Sequence, residues 1–416
     1  MRGRNLVISL ALPLLAAVAV GIAVVVVAGA NDGISTAPTA TAAGFPPARL
    51  AVSDFGGGAG SSVQVSAIAA AGATQVAAGS AGGGLALWAS EDGGSSWQRG
   101  VVTPSGGVRP GSGQIGWVAH GASGWLAVGD TLGGAAAARP VVLGSPDGQT
   151  WTAVGGASVF AGSAVTAAVA AGDAGYVIVG HVPAGARTVA AAWYAPGLTG
   201  WRRASDARPG ALDGSGNRVM TAVTATSGGF AAVGAVGTHP AAWLSGTGRT
   251  WALVTLPLPA GAASASLDYV AAHGGTVAAV GTEITASGQR RPFTAVSANT
   301  GATWTVALLP LPGGISAGSV TSATALTAAG GGFTATGTYG TPGGTDVVVW
   351  TLPAGAGMAT GWTAVAPQGT GLAGPGAQAI TALTATNATL IGVGFTTLTA
   401  TATAAEPTIW QSPVRS

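Results

Sequence analysis

The side chains that could carry chemistry are few in this chain. Its 416 residues include 13 acidic residues, four His, four Tyr and 15 basic residues, all of them Arg, but no Cys. Thiol catalysis, disulfides and Cys-based zinc sites are therefore excluded. The four His do not have the H-x-x-x-H or H-E-x-x-H spacing that would indicate a metal site. We expect no metal and no cofactor.

Charged residues collect in segments that are expected to form loops at one end of the fold. Loops on a rigid scaffold often carry function, and Arg suits anionic groups such as sugar carboxylates, phosphates or acidic protein segments. The alternative is that these loops are charged only because they are solvated. The candidate ligand face consists of Asp130, Arg139, His181, Arg187, His239, Glu283, Arg290 and Arg291. Asp346 and the charges at 109, 206, 208, 213 and 218 are expected near it.

The elements that would position these residues follow from an internal repeat. An apolar, mostly large residue, then alternating small and branched residues, then Gly recur seven times, at 75–79, 125–129, 176–180, 230–234, 277–281, 333–337 and 390–394. The repeated glycines are 47–57 residues apart. With 7 % charged residues and 72 Gly, the chain favours short strands and tight turns. A period near 50 made of strands is typical of one four-stranded propeller blade.

Each repeat divides into four strands, which predicts an all-β fold, a seven-bladed β-propeller over residues 46–416. The third strand often carries Trp, and the fourth opens with Trp. The seventh repeat ends after its third strand because the chain stops at residue 416. We expect an N-terminal strand at 49–53 to pair with residues 408–411 and close the last blade, since closure removes exposed sheet edges.

The turns before three of the fourth strands share a pattern of Ser, Asp or Asn, Gly and Trp. They contain Ser90, Asp92, Gly94 and Trp97 in the first repeat, Ser145, Asp147 and Trp151 in the second, and Ser297, Asn299, Gly301 and Trp304 in the fifth. This pattern resembles the Asp-box (BNR-like) turn of sialidases, sortilin-type receptors and related propellers. The resemblance implies a structural role: a short polar side chain fixes the turn, Gly permits positive φ, and Trp packs between blades.

The same resemblance raises the question of glycoside hydrolysis. That chemistry needs two carboxylates, or a Tyr nucleophile with an acid in sialidases. If the protein is an enzyme, Asp130 and Glu283 are the candidate catalytic residues. The F/Y-R-I-P segment and the Arg trio of sialidases are not recognisable here, so the chain is most similar to a non-enzymatic exported propeller. We expect a binding scaffold, with a sialidase-like glycan-binding or hydrolytic propeller as the alternative.

The N-terminal segment predicts the compartment. Residues 1–5 contain Arg2 and Arg4, and an apolar run follows at 6–30, long enough to span a bilayer as a helix. Because basic residues stay inside, the chain after it should be extracytoplasmic, with 31–45 as a linker. The alternative is a cleaved signal peptide, since residues 28–30 fit an A-x-A site.

The partners are bounded by the same composition. No basic run exceeds two residues, so we expect no nucleic acid. The membrane, and an envelope protein or anionic glycan, are the expected partners.

Overall fold

The computed structural model describes residues 62–103, 113–131, 139–155, 159–160, 164–316, 318–367, 371–397 and 405–414. The predicted cytoplasmic N-terminus, membrane segment, linker and closing strand lie outside these residues. No helix within the described ranges combines the length and apolarity needed to cross a bilayer.

The described residues form seven successive antiparallel units, numbered here in chain order. Unit 1 contains β1 (Val63–Ala71), β2 (Thr74–Ala81), β3 (Gly84–Ser90) and β4 (Gln98–Arg99). Unit 2 contains β6 (Gly113–Gly121), β7 (Gly124–Thr131), β8 (Arg139–Ser145) and β9 (Thr150–Ala153). Unit 3 contains β10 (Val165–Gly172), β11 (Gly175–Ala184), β12 (Arg187–Ala195) and β13 (Arg202–Arg203). Two short strands, β5 (Val101–Thr103) and β14 (Ser205–Asp206), follow units 1 and 3.

The remaining units repeat this order. Units 4 and 5 contain β15 (Arg218–Thr226), β16 (Gly229–Val236), β17 (His239–Ser245) and β18 (Thr250–Thr255); and β19 (Ala262–His273), β20 (Thr276–Thr285), β21 (Arg290–Ser297) and β22 (Thr305–Leu308). Units 6 and 7 contain β23 (Val320–Ala329), β24 (Gly332–Thr341), β25 (Gly344–Leu352), a 3₁₀ turn (Ala359–Gly361) and β26 (Thr363–Val365); and β27 (Gly376–Ala385), β28 (Thr389–Thr396) and β29 (Glu406–Pro413). Within each unit, consecutive strands pair antiparallel.

The units are arranged in a ring, with the first strand of each unit innermost. Each first strand contacts the first strand of the next unit, and β27 of unit 7 contacts β1 of unit 1. Apolar clusters fill the interfaces, including one that joins units 1 and 7 through Val65, Trp88 and Ile409. The core is therefore distributed over the interfaces between units, where side chains of two sheet faces interdigitate.

Every first strand contains a β-bulge at the same place. The register shifts fall at Ser66, Gly116, Ala167, Thr221, Asp268, Thr324 and Thr381. The bulge brings a first-strand carbonyl against the repeated Gly of the second strand: a Cβ added at Gly234 would overlap the Val219 carbonyl oxygen, and the other six repeated glycines are similarly crowded. A bulge that leaves no space for a side chain thus explains why this Gly recurs.

Tryptophan packs between units as the sequence predicts. Trp88, Trp193, Trp243, Trp350 and Trp410 on third strands are almost fully buried. Trp151 and Trp251, which open fourth strands, are also fully buried.

Candidate functional site

The turns with the Ser, Asp and Trp pattern are held by their own side chains. In unit 1, the Ser90 hydroxyl donates to Asp92 Oδ1 at 2.8 Å and accepts from the Gly94 amide at 2.8 Å. Asp92 also accepts from the Ser96 amide and hydroxyl at 2.9 and 2.7 Å. Trp97 Nε1 closes the turn by donating to the Gly94 carbonyl at 3.2 Å. These bonds, above all that from the Ser96 hydroxyl, lower the pKa of Asp92 to about 2.

The same bonds recur in the other patterned turns. Ser145 donates to Asp147, and Ser297 donates to Asn299, at 2.8 and 2.9 Å. Trp151, Trp304 and, in the degenerate unit 4 turn, Trp251 each donate to the Gly carbonyl three residues before. Backbone hydrogen bonds led by that from Thr150 lower the pKa of Asp147. The polar groups of these turns are thus occupied within the turns.

The eight candidate ligand-face residues lie at one end of their units, but in strands rather than loops. Asp130, His181 and Glu283 belong to second strands, and Arg139, Arg187, His239, Arg290 and Arg291 open third strands. The expectation of loops is wrong because the second and third strands stay paired almost to the turn. His239, for example, still pairs with Val236, which leaves a two-residue connection.

Glu283 and Arg291 form an ion pair across neighbouring strands. They are register partners on β20 and β21, and Arg291 Nε donates to Glu283 Oε1 at 2.6 Å. Glu283 is fully buried, and its Oε2 has no partner among the described residues. A buried carboxylate needs such a partner, so the arrangement gives Glu283 and Arg291 a structural function.

Arg187 belongs to a network that holds the connection between units 3 and 4. It pairs with Asp213 at 2.7 Å and donates to the Gly214 carbonyl. Asp206 accepts from the amides of Gly210 and Leu212 at 3.0 and 2.7 Å. These charges order residues 206–217 instead of pointing freely into solvent.

Asp130 and Glu283 are not brought together. Asp130 follows the repeated Gly129 directly, whereas Glu283 is the second residue after Gly281, so the two side chains leave opposite faces of their sheets. The face of Val128 packs on unit 3 and that of Val277 packs on unit 4. Asp130 and Glu283 therefore belong to separate interfaces.

Burial shifts the proton affinity of Asp130 and His181. It raises the pKa of Asp130 to about 6, and no described residue donates a hydrogen bond to this carboxyl. Burial also lowers the pKa of His181, whose Nδ1 has no partner among the described residues. Both groups are thus biased towards their neutral forms.

Four of the predicted residues are exposed, and three of them lie outside the described ion pairs. These three are Arg139, His239 and Arg290, whereas the fourth, Arg187, pairs with Asp213. The Nδ1 atom of His239 lies 3.3 Å from the hydroxyl oxygen of its neighbour Thr238. We call Arg139, His239 and Arg290, the exposed basic part of the candidate face, the loop-end group.

A buried acid that sequence reasoning missed lies at the bulge of unit 5. Asp268 accepts from the hydroxyls of Ser266 and Thr282 at 3.2 and 3.1 Å. Burial raises its pKa to about 6, although Arg290 opposes the shift. The signal was available: each bulge residue stands 13 positions before the repeated Gly, and among the seven only Asp268 is acidic.

The bulge positions carry bonds between units. The hydroxyls of Ser66, Thr221 and Thr324 donate to the carbonyls of Ile115, Leu267 and Ile380 on the next first strand. By position, the partner of Asp268 would be the Ala323 carbonyl. An ionised carboxylate cannot donate such a bond.

Two aromatic side chains meet in the middle of the ring. Trp117 of unit 2 and Tyr269 of unit 5 directly follow their bulges, and their ring centroids are 6.5 Å apart. Because they belong to non-adjacent units, the pair bridges the central channel.

A Ser motif also escaped the sequence reasoning. Residues 314–318 read G-x-S-x-G, the pattern of a hydrolase nucleophile, which requires a strand-to-helix turn. Here the segment lies in the connection between β22 and β23, and the Ser316 hydroxyl shares a hydrogen bond with Ser319. The local structure is not that of a nucleophile elbow.

Comparison with known proteins establishes the fold. No family model matches the chain, and no curated protein is similar to it. YCF48 from Cyanidioschyzon merolae superposes with a TM-score of 0.51 at 13 % identity, covering 84 % of this chain and 95 % of that one. A protein of unknown function from Dyadobacter fermentans and the Aleuria aurantia lectin with α-methyl-L-fucoside each cover 72 % of this chain, at 12 and 14 % identity, with TM-scores of 0.43 and 0.41. The aligned residues make up 93 % of the Dyadobacter fermentans chain and 94 % of the lectin chain. At these identities the likeness to YCF48 concerns the fold alone: the described residues have an all-β, propeller-like fold.

Proposed function

We propose that this protein is a seven-bladed β-propeller that acts as an extracytoplasmic binding scaffold, held at the cytoplasmic membrane by residues 6–30. The blade count is supported by the seven antiparallel units and by the contact of β27 with β1. Among the described strands of unit 7, β29 has a neighbour on one side only. An N-terminal strand at 49–53 would fill the other side.

Membership of the Asp-box group belongs to the same proposal. It is supported by the recurring bonds from Ser to Asp or Asn, and from Trp Nε1 to the Gly carbonyl, in the patterned turns. Several unrelated functions use propellers, so this membership would define a scaffold and not an activity.

The observation that carries the binding function is the exposed loop-end group. Arg139, His239 and Arg290 are accessible and lie outside the two described ion pairs, whereas Arg187 and Arg291 are used for structure. An anionic partner, either an acidic envelope protein or an anionic glycan, fits guanidinium groups presented on a rigid fold.

The test is a crosslinking pull-down from membranes with the tagged full-length protein. The loop-end variant Arg139→Gln/His239→Gln/Arg290→Gln should lose a partner that the wild type captures. A control variant, Arg99→Gln, removes an exposed arginine at the opposite end of unit 1 and should retain it. Equal capture by all three proteins would contradict the proposed face.

One observation favours the alternative of a glycan-active propeller. The raised pKa of Asp130, about 6, would keep part of this carboxyl protonated near neutral pH, as a general acid requires. Release of a chromogenic aglycone that is lost in Asp130→Asn would establish the enzyme. Turnover unchanged in that variant, or no turnover across glycoside classes, would remove Asp130 from consideration.

A further inference from the structure

Two arginines around a tyrosine ring lie on the outer rim of the ring, between units 3 and 4. This rim cluster consists of Arg202, Arg249 and Tyr194. It is separate from the loop-end group, because Arg202 and Arg203 immediately follow Trp201 and Arg249 lies in the turn before Trp251. These turns are at the end of each unit opposite to the connections between second and third strands.

Arg202 and Arg249 lie on the side of the unit 3 sheet from which Tyr194 projects. Tyr194 and Arg202 are register partners on β12 and β13, so their side chains leave the same side of the sheet. The guanidinium carbon of Arg249, from the next unit, lies 5.5 Å from the centroid of the Tyr194 ring. Tyr194 thus has one arginine beside it and another over its face.

The backbone fixes this arrangement across the boundary between the units. The Ser205 amide donates to the Arg249 carbonyl at 3.0 Å, and β14 pairs in parallel with β18 directly after it. Arg203 and its register partner Trp193 leave the other face of the same sheet, towards unit 2, where the guanidinium carbon of Arg203 lies 4.8 Å from the Trp193 ring centroid. Stacked guanidinium groups lose less freedom when they bind an anion.

No acid of the described chain neutralises these arginines. The two ion pairs found there are Arg187–Asp213 and Arg291–Glu283. The acid nearest to the cluster along the chain, Asp206, has both carboxylate oxygens bonded to the amides of the following connection. Two exposed arginines, Arg202 and Arg249, therefore lie on the same side of the unit 3 sheet without an acidic partner among the described residues.

We propose that the rim cluster is a second interaction surface, which binds the carboxylates of an acidic protein segment through the paired guanidinium groups of Arg202 and Arg249. The arginine fork matches a carboxylate with two parallel hydrogen bonds. A sugar ring fits less well, because Arg249 already covers the Tyr194 ring. This surface would act whether or not the loop-end group binds a partner.

The test measures the binding of a fluorescent octaglutamate peptide to the full-length protein in detergent at low salt. Each lost charge-assisted bond is worth about 1.5–3 kcal/mol in general, and 1.4 kcal/mol is tenfold in Kd. Arg202→Gln/Arg249→Gln should therefore weaken binding by at least about tenfold. Arg202→Lys/Arg249→Lys, which keeps the charge and loses the fork, should fall between the variant and the wild type.

Two controls keep this result separate from the proposed function. Arg99→Gln/Arg139→Gln removes the same charge at exposed positions in units 1 and 2 and should leave the peptide affinity within about twofold, as expected for distant surface charges. The loop-end variant Arg139→Gln/His239→Gln/Arg290→Gln should likewise leave the peptide affinity within about twofold. Peptide binding that is lost in the loop-end variant and kept in the rim variant would overturn the rim proposal and leave the loop-end face intact.

Competition identifies the chemistry of the partner. Octaglutamine should not displace the labelled peptide, and inorganic phosphate or an oligogalacturonate should displace it less well than unlabelled octaglutamate does. Tighter binding of phosphate or of the oligogalacturonate, sensitive to the rim variant, would overturn the assignment to an acidic protein segment. Each variant must have the melting temperature of the wild type. If the double variant fails to fold, the single variant Arg202→Gln replaces it in the binding measurement.

Discussion

Replacing Asp268 with Thr should stabilise the protein at neutral pH. Thr occupies the same bulge position in units 4, 6 and 7, and Thr221 and Thr324 donate there to the next unit. Asp268 has hydroxyl donors but, when ionised, can offer no bond to the Ala323 carbonyl. The substitution therefore places in unit 5 a residue that two other units already use successfully.

The magnitude follows from the proton affinity of the folded state. Burial raises the pKa of Asp268 from 3.8 to about 6, so folding favours the protonated acid. The ionised form of Asp268 therefore lowers the free energy of unfolding. This loss is absent below pH 4, grows as pH rises through the interval from about 4 to 6, and is complete above it. About two pKa units at 1.4 kcal/mol each give an upper value of about 3 kcal/mol. In the Asp268→Thr variant, the hydroxyls of Thr282 and Ser266 lose a hydrogen-bond acceptor, which reduces the expected gain in stability by about 1 kcal/mol.

Urea unfolding followed by tryptophan fluorescence checks this between pH 4 and 8. We expect Asp268→Thr to exceed the wild type by about 2 kcal/mol at pH 8 and to fall about 1 kcal/mol below it at pH 4, where only the loss of the acceptor remains. The difference between the two proteins removes the similar contribution of Asp130, which both contain. Arg290 and Tyr269 also interact with this carboxyl, and burial raises the pKa of Tyr269 above its ordinary value of 10, far from the interval from pH 4 to 6. A gain that is independent of pH, or a loss at pH 8, would refute the reasoning.

Three further substitutions test the structural assignments. Arg291→Ala should cost about 3–5 kcal/mol of unfolding free energy because it leaves Glu283 buried and unpaired, whereas Arg290→Ala next to it should stay within about 0.5 kcal/mol; equal effects in chemical denaturation would contradict the ion pair. Gly234→Ala should destabilise strongly, since its methyl group overlaps the Val219 carbonyl, while Gly116→Ala, whose methyl group meets open space, should be tolerated; thermal melting of both variants compares them. Asp92→Ala should remove stability that the wild type has at neutral pH and loses as pH falls through the interval from about 4 to 2, so identical acid titrations of the two proteins would exclude a role for this carboxylate.

The repeat predicts much of the fold because each feature of it has a local physical cause. The repeated Gly follows from the bulge, and the Trp that opens each fourth strand follows from packing between units. Third strands carry Trp where the repeat predicts it, as Trp193 does in Arg187–Ala195. The sequence predicts loops at the strand ends because charged residues are common in loops. In the structure these charged residues continue the strand pairing of the apolar residues next to them.

The site was less predictable because it depends on contacts between distant residues. Nothing in the spacing of Arg187 and Asp213, or of Glu283 and Arg291, distinguishes a paired arginine from a free one. Asp268 differs, because its position in the repeat distinguishes it: the residue 13 positions before the repeated Gly is acidic in unit 5 alone.

The short parallel strands between units affect how the ring comes apart. β5 pairs with β9, β14 with β18, and β25 with β27, so units 1 and 2, units 3 and 4, and units 6 and 7 share backbone ladders. Among the described residues, the boundary between units 7 and 1 has no such ladder; the hydrogen bond from Gln411 Nε2 to the Gly93 carbonyl crosses it. Cooperative opening follows contiguous stretches of hydrogen-bonded structure. The amides of the three joined pairs should therefore exchange with deuterium as common blocks, each larger than a single unit.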